Sequence, residues 1–294
     1  MDGRIHVKIA PKGMGLNDWV AMEEGFFAAE GLDAEFDMKT FRGTQSSWKG
    51  MEYFDRPQDK PYAEGADVIQ GACEWGTICN ASAGMGRVVP DAYGVSPCAI
   101  FVRPDSRIAK PADLADVPVG VGMRAGSHFT VPLHLEKHLP LEKIKTVNVG
   151  GFSARLLALI NREIEAASLL PPQIDMAKQL GLRPVLEAEF RTLWWVPESA
   201  SKGAVRGYLN GLERAEKALQ ADLQRYLPLW KHSISPEFAA EKWDFTKFGR
   251  GERFVYQPFP REDVDVVFDQ VARWDLDQYL KEKTYEHLTF DAGR

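Results

Sequence analysis

The chain has 294 residues, 45% hydrophobic, 11% aromatic and 27% charged, enough apolar surface for about two domains and a composition that excludes disordered, collagenous and coiled-coil classes. Its 36 lysines and arginines against 42 acids leave a formal net charge of −6, so nucleic acid is not an expected partner and a small ligand or a protein is. Asp2, Arg4, His6, Lys8 and Lys12 stand where a signal peptide needs an apolar run, and no stretch nears the roughly 18 apolar residues of a membrane span, so membrane insertion is not expected.

Ile5–Ala10 reads as a buried strand, and after Pro11-Lys12-Gly13-Met14-Gly15 the spacing of Trp19, Met22, Phe26 and Phe27 predicts an amphipathic helix that Gly31 ends. With a second strand at Leu32–Phe36, this makes a right-handed parallel crossover. Residues 67–72 predict another strand, leading into Cys73-Glu74-Trp75-Gly76 and a short helix through Met85, with extended stretches at 88–89 and 93–102. The plan restarts after Pro104: one turn at Pro111–Leu114, a strand at 117–121, the loop Gly122-Met123-Arg124-Ala125-Gly126, and a helix from Ser127. A strand at 145–149 and a helix at 153–162 follow. A strand at 166–170 is interrupted by Pro171-Pro172, and a helix at 173–180 precedes extended stretches at 184–186 and 193–196. From Ala204 the character is helical, with one apolar stripe of Leu209, Leu212, Ala215, Leu219, Leu223 and Tyr226 and another of Val264, Val267, Phe268, Val271 and Trp274. The fold class is α/β, two lobes with a helical C-terminal tail.

This order of segments resembles the type 2 periplasmic-binding fold, and within it the solute-binding proteins for nitrate, sulfonates, taurine and pyrimidine precursors. The resemblance is carried by the stretch from Val20 to Asp33, with Glu23-Glu24-Gly25-Phe26-Phe27 inside it; by Val102-Arg103-Pro104-Asp105-Ser106 with Pro111-Ala112-Asp113-Leu114; by Gly120-Val121 followed by Gly126-Ser127; by Arg155-Leu156 through Ala167; and by Phe268 to Leu280 with Thr284-Tyr285-Glu286-His287-Leu288. It implies lobe I at residues 1–99 plus 192–294 and lobe II at 100–191, closing on a small ligand like a hinged clamp. It further implies a cleft at loops that follow strands, and a permease of an ABC-type importer as partner.

Several residues fall at that expected cleft. Leu16, Asn17 and Trp19 follow the first strand, where Trp19 or Leu16 can form a wall and Asn17 or Asp18 can equally cap the helix. Cys73, Glu74 and Trp75 follow the strand at 67–72; Glu74 suits a ligand-facing acid or base, and Cys73 is either a nucleophile with a lowered pKa or a small buried hydrophobe. Gly120, Gly122 and Ala125 match a dinucleotide fingerprint by letter, but the strand at 145–149 ends in Gly150-Gly151 where that fold places an acid, so no cofactor is expected. Gly126, Ser127, His128 and Phe129 instead suit an anion at a helix start, with Ser127 as simple N-cap the alternative. His128 is the histidine placed for proton transfer or ligand bonding. Arg42 and Arg124 are candidate anion partners. Of Trp194 and Trp195, facing opposite ways on a strand, one belongs to the core and the other is available to stack on a ligand. The aromatic residues favour a planar or aromatic anion over nitrate. No metal-type Cys/His spacing joins Cys73, Cys79 and Cys98, and His134 and His138, four apart on one helix, lack a His-Glu-x-x-His context, so a solvated face and no metal is expected there; Trp48 and Lys49 lie where they can cover the cleft.

Two functions remain open. One is a solute-binding protein delivering a small, anionic, aromatic molecule to an importer, periplasmic once a leader is removed. The other is an enzyme on the same fold, cytoplasmic as the sequence stands, a decarboxylase or lyase with Glu74 and His128 as acid and base and Cys73 as a possible nucleophile. The resemblance admits this second reading, since dihydroxyphthalate decarboxylase, aromatic sulfinate desulfinase and the pyrimidine-precursor synthases look like members of the same fold group. This chain lacks the clustered cysteines of the synthases and has Met14, with no cysteine, in its first loop.

Overall fold

The computed structural model describes residues 3–47, 49, 56–239 and 241–293. Strand β1 (Ile5–Ala10) leads to helices α1 (Asn17–Glu23) and α2 (Phe26–Ala29) and strand β2 (Leu32–Phe36). The single helix expected here is two, because Gly25 adopts φ 68°, a left-handed conformation that breaks the helical run and that glycine takes without a Cβ penalty. Helices α3 (Met38–Gly43) and α4 (Lys60–Ala63) precede β3 (Val68–Cys73), α5 (Glu74–Ser82) and the long β4 (Arg87–Val102). The second wound unit comprises β5 (Pro118–Val121), α6 (Gly126–Leu135), β6 (Lys145–Asn148), α7 (Phe152–Ile160), β7 (Ala166–Leu169) and α8 (Gln173–Gln179). Strand β8 (Arg183–Val196) returns to the first unit, and α9 (Lys202–Ala221), α10 (Leu223–Tyr226), β9 (Arg253–Val255), α11 (Glu262–Arg273) and α12 (Tyr285–Leu288) complete the chain.

One sheet runs through the whole molecule in the order β2-β1-β3-β8-β4-β7-β5-β6, with β9 paired to β4. Strands β2, β1 and β3 are parallel, as are β7, β5 and β6, and the two groups are joined by the antiparallel pair β8 and β4. Each of those two strands replaces two shorter expected segments. In β8, Glu187 and Glu189 are exposed while Phe190 and Thr192 are buried, so a polar face interrupts the apolar run without ending the strand. In β4 the register with β8 shifts between Val89 and Gly94. The lobe limits expected at residues 99 and 192 fall inside β4 and β8.

Helix α9 covers the first unit, burying Leu209, Leu212, Ala215 and Leu219 against α1 and α2. Each fully buried leucine of this face contributes roughly 1.5–3 kcal/mol. Tyr226, expected on the same stripe, lies on α10, which begins after Asp222 departs from helical geometry and accepts the Arg225 N–H at 3.2 Å. A second core packs Trp75, Phe129, Phe190 and Phe268, and a third Val119, Val121, Val131 and Leu135 around β5 and α6.

Candidate functional site

The carboxyl ends of β1, β3 and β5 converge on a narrow cleft. Lys12 and Met14 after β1, Gln70 to Cys73 of β3, and Arg124 to Gly126 at the mouth of α6 contribute to its walls. Phe41 of α3, Phe152 of α7, and Phe190 and Trp195 of β8 add apolar surface. Three cations, Lys12, Arg56 and Arg124, reach the lining, which among the described residues includes no aspartate or glutamate.

Each cation is fixed from behind. Lys12 Nζ donates to Thr192 Oγ1 and Glu252 Oε1, both at 2.7 Å, and lies 3.7 Å over the Trp194 ring. Burial pulls its pKa down, against the pull of Glu252. Gly71 is required beside it, since an added Cβ would collide with the Lys12 stem. Arg56 grips Asp59 through two bonds of 2.6 and 2.9 Å and crosses the cleft to the carbonyls of Met123 at 3.2 Å and Arg124 at 2.6 Å. The Arg124 guanidinium lies 3.7 Å over the Tyr279 ring.

A second set of bonds crosses the cleft beside Arg56. Gly151 N–H donates to Ser46 O at 2.6 Å, Phe152 N–H to Thr44 O at 3.3 Å and Ala154 N–H to Gln45 O at 3.2 Å. The segment after α3 thus satisfies free N–H groups at the start of α7, groups that a helix cannot pair within itself. Ser47 pairs with Gly150, and Lys49 lies 3.6 Å from Glu163. Trp48 lies outside the described residues.

Of the residues expected at the site, Cys73, Arg124, Gly126 and Trp195 line the cleft. The Cys73 Sγ accepts the Gly76 N–H at 3.2 Å as the cap of α5, and burial pushes the thiol up to about 12, so it is protonated at neutral pH. Trp195 stacks on Tyr62 with ring centroids 3.9 Å apart, and its indole N–H donates to the Met85 carbonyl. Trp194, facing the other way, packs in the core, donates to Tyr208 Oη at 3.1 Å and lies 5.3 Å from Phe254.

The other expected residues are engaged elsewhere. Leu16 is fully buried in the main core. Asn17 donates to Glu216 at 3.0 Å, and Trp19 donates to Ser233 at 2.9 Å while meeting Phe36 and Phe41 edge-on. Arg42 lines a separate depression with His232 and Pro236. Glu74 pairs with Arg191 at 2.8 Å, which also holds Asp263 at 2.5 Å, and burial raises the Glu74 carboxyl to about 7. Trp75 donates to Gln270 at 2.6 Å and stacks near Phe129 at 5.8 Å. His128 Nδ1 accepts the Arg124 N–H at 3.1 Å, and burial lowers its pKa to about 4, leaving a neutral ring that holds the loop before α6. Ser127 Oγ accepts the Gly122 N–H at 2.9 Å and a bond from Arg155. Glu74 is therefore held by Arg191 and His128 by the loop before α6, while Cys73 caps α5 at the cleft wall.

Sequence reasoning missed Lys12, Arg56, Gln70, Phe152 and Phe190. Two signals were available: Gln70 is a buried polar residue in an apolar strand, and Lys12 follows the first strand directly.

The chain superposes on solved structures of the fold its sequence resembles. The alkanesulfonate-binding protein SsuA from Xanthomonas axonopodis pv. citri, bound to MOPS, matches with TM-score 0.68 at 12% identity, covering 98% of this chain and 97% of that one. The periplasmic nitrate-binding protein NrtA from Synechocystis PCC 6803 matches with TM-score 0.64 at 13% identity, covering 97% and 84%. The desulfurization enzyme DszB matches with TM-score 0.58 at 15% identity, covering 97% and 96%. No family model and no curated protein matches the chain. The architecture is the two-lobed periplasmic-binding fold, which in these structures carries both ligand capture and catalysis.

Proposed function

We propose that this protein is a solute-binding clamp for a small organic anion with an apolar or aromatic body, held between a lobe of residues 1–99 plus 192–294 and a lobe of residues 100–191. The observation that carries the reading is the lining itself: three cations, aromatic rings from α3, α7 and β8, and no carboxylate among the described residues. Glu252 and Asp59 balance Lys12 and Arg56 from behind, so the charged groups that reach the lining are N–H donors with their carboxylates set back from it, which suits an acceptor-bearing anion, while the rings offer stacking area. The cleft-crossing bonds of Arg56 and of residues 44–46 are what a closed clamp requires.

Delivery to an ABC-type permease outside the cytoplasmic membrane is the physiological role this reading implies, and the superposition on sulfonate- and nitrate-binding proteins supports it. No described helix is long and apolar enough to cross a membrane. A decarboxylase or lyase reading finds less support, because Glu74 is tied to Arg191 and His128 to the Arg124 backbone.

Native mass spectrometry of freshly purified protein tests the proposal by showing any retained small molecule. Calorimetry against aromatic and aliphatic carboxylates and sulfonates then ranks ligands. Binding restricted to cations or neutral sugars would overturn it.

A further inference from the structure

Arg155 sits in the first half of α7 and is 1% exposed. Among the described residues no carboxylate lies within ion-pairing reach of it, and its Nε and Nη2 groups have no hydrogen-bond partner. Among the described residues, the one hydrogen bond of its side chain goes from Nη1 to Ser127 Oγ. Burial alone pulls its pKa down, to about 9, so the side chain is still a cation at neutral pH. A buried charge with no counter-charge is strongly unfavourable in isolation. A guanidinium at such a place gains strong, charge-assisted hydrogen bonds from an anion that completes it.

Ser127 says where that anion sits. A hydroxyl has one proton and two acceptor positions. The Ser127 oxygen already accepts from the Gly122 N–H and from Arg155, so its proton is left to donate. Ser127 also belongs to the first turn of α6, a ten-residue helix whose start carries partial positive charge. Its neighbour Gly126 lines the cleft, and so does Phe152, whose ring lies 5.4 Å from the Arg155 guanidinium. Cation, hydroxyl proton and helix start therefore gather behind one wall of the cleft, all of them donors.

We infer that Arg155 is a positioning residue for an oxyanion, a sulfonate or carboxylate of the ligand, seated against the Gly126–Ser127 turn. It acts through Ser127, turning the hydroxyl into an obligatory donor, and through its uncompensated charge. The ligand's apolar body then extends toward Phe41, Phe190 and Trp195. This inference rests on the clamp reading above and adds which wall reads the charge.

The test uses two matched pairs of probes, benzenesulfonate with benzenesulfonamide and benzoate with benzamide, titrated by calorimetry at pH 7 into wild type, Arg155→Gln and Ser127→Ala. Wild type is expected to prefer the anion of at least one pair by about tenfold or more, equivalent to about 1.4 kcal/mol. Arg155→Gln should reduce that preference to below about threefold while leaving the neutral compound's affinity within about twofold, a split that mere loss of packing would not produce. Ser127→Ala, which leaves the arginine in place, should also narrow the preference, and it carries the test if Arg155→Gln does not fold. An anion preference unchanged in the folded variants overturns the role of Arg155 while leaving the clamp intact. Failure of wild type to bind any of the four probes, or equal binding of anion and neutral partner, overturns the anionic-ligand reading and this inference together.

Discussion

Replacing Gly151 by alanine should open the clamp without unfolding either half. Gly151 has φ −66° and ψ 177°, a conformation alanine adopts freely, so the substitution adds no backbone strain. The added Cβ would instead press on the Thr44 carbonyl and the backbone of Gln45 and Ser46. Those residues accept three N–H bonds, from Gly151, Phe152 and Ala154. At a net value of about 0.5–1.5 kcal/mol each, displacing two of them costs the closed form about 1–3 kcal/mol. That shifts the closing equilibrium by roughly 5–150-fold. Hydrogen exchange followed residue by residue measures it directly: amides 151, 152 and 154 should exchange faster by about that factor, while those of β1 and β3 stay protected. Small-angle scattering should show a larger radius of gyration. Unchanged protection of the three amides would refute the view that this segment holds the cleft shut.

Three further outcomes follow from the same contacts. His128 has a pKa near 4 in the folded chain against 6.5 when unfolded, so the unfolded state alone takes up a proton between those values. Stability from this group is complete above pH 6.5 and is lost as pH falls toward 4, by up to about 1.4 kcal/mol per pH unit, and thermal melts of His128→Asn should show a shallower acid slope than wild type. Leu16→Ala should cost about 2–5 kcal/mol in denaturant unfolding while leaving ligand affinity unchanged, since the side chain is wholly in the core. Cys73 should resist iodoacetamide at pH 8 until the protein unfolds, because its thiol is buried and titrates near 12; rapid alkylation of native protein would contradict its place as the cap of α5.

The strands were legible because their runs are short and bounded: Ala166–Leu169 is buried throughout, whereas Ile5–Ala10, expected to be a buried strand, buries Val7, Ile9 and Ala10 and leaves Ile5 and His6 exposed at the start of the strand. The breaks were harder. Gly25 sits inside a helical pattern that continues unbroken around it, and only its left-handed φ reveals two helices. At the site, the turn after β3 was found but its facing was misjudged. Cys73, Gly76 and Asn80 line the cleft at intervals of three and four, the repeat of a helix that starts at once, so Glu74 and Trp75 turn toward Arg191 and Phe129. Arg155 shows the opposite case. With Phe152, Leu156 and Leu159 it falls on one face of α7, a cation on an otherwise apolar stripe, yet only the structure reveals that no carboxylate among the described residues answers it.

The antiparallel pair of β4 and β8 has a mechanical consequence. Gly94 to Val102 pair with residues 183–192, and Arg87 to Val89 with Val196 to Trp194, with register shifts between Val89 and Gly94 and between Ile100 and Phe101, so the same two strands reach both ends of the sheet. In the proposed clamp this pair is the hinge, two hydrogen-bonded strands inside the sheet and not a pair of loose tethers. Excising residues 100–191 would cut both strands and leave raw sheet edges on each fragment. The halves should therefore melt in a single calorimetric transition, and opening should follow the bend of that strand pair, confining the motion to one axis.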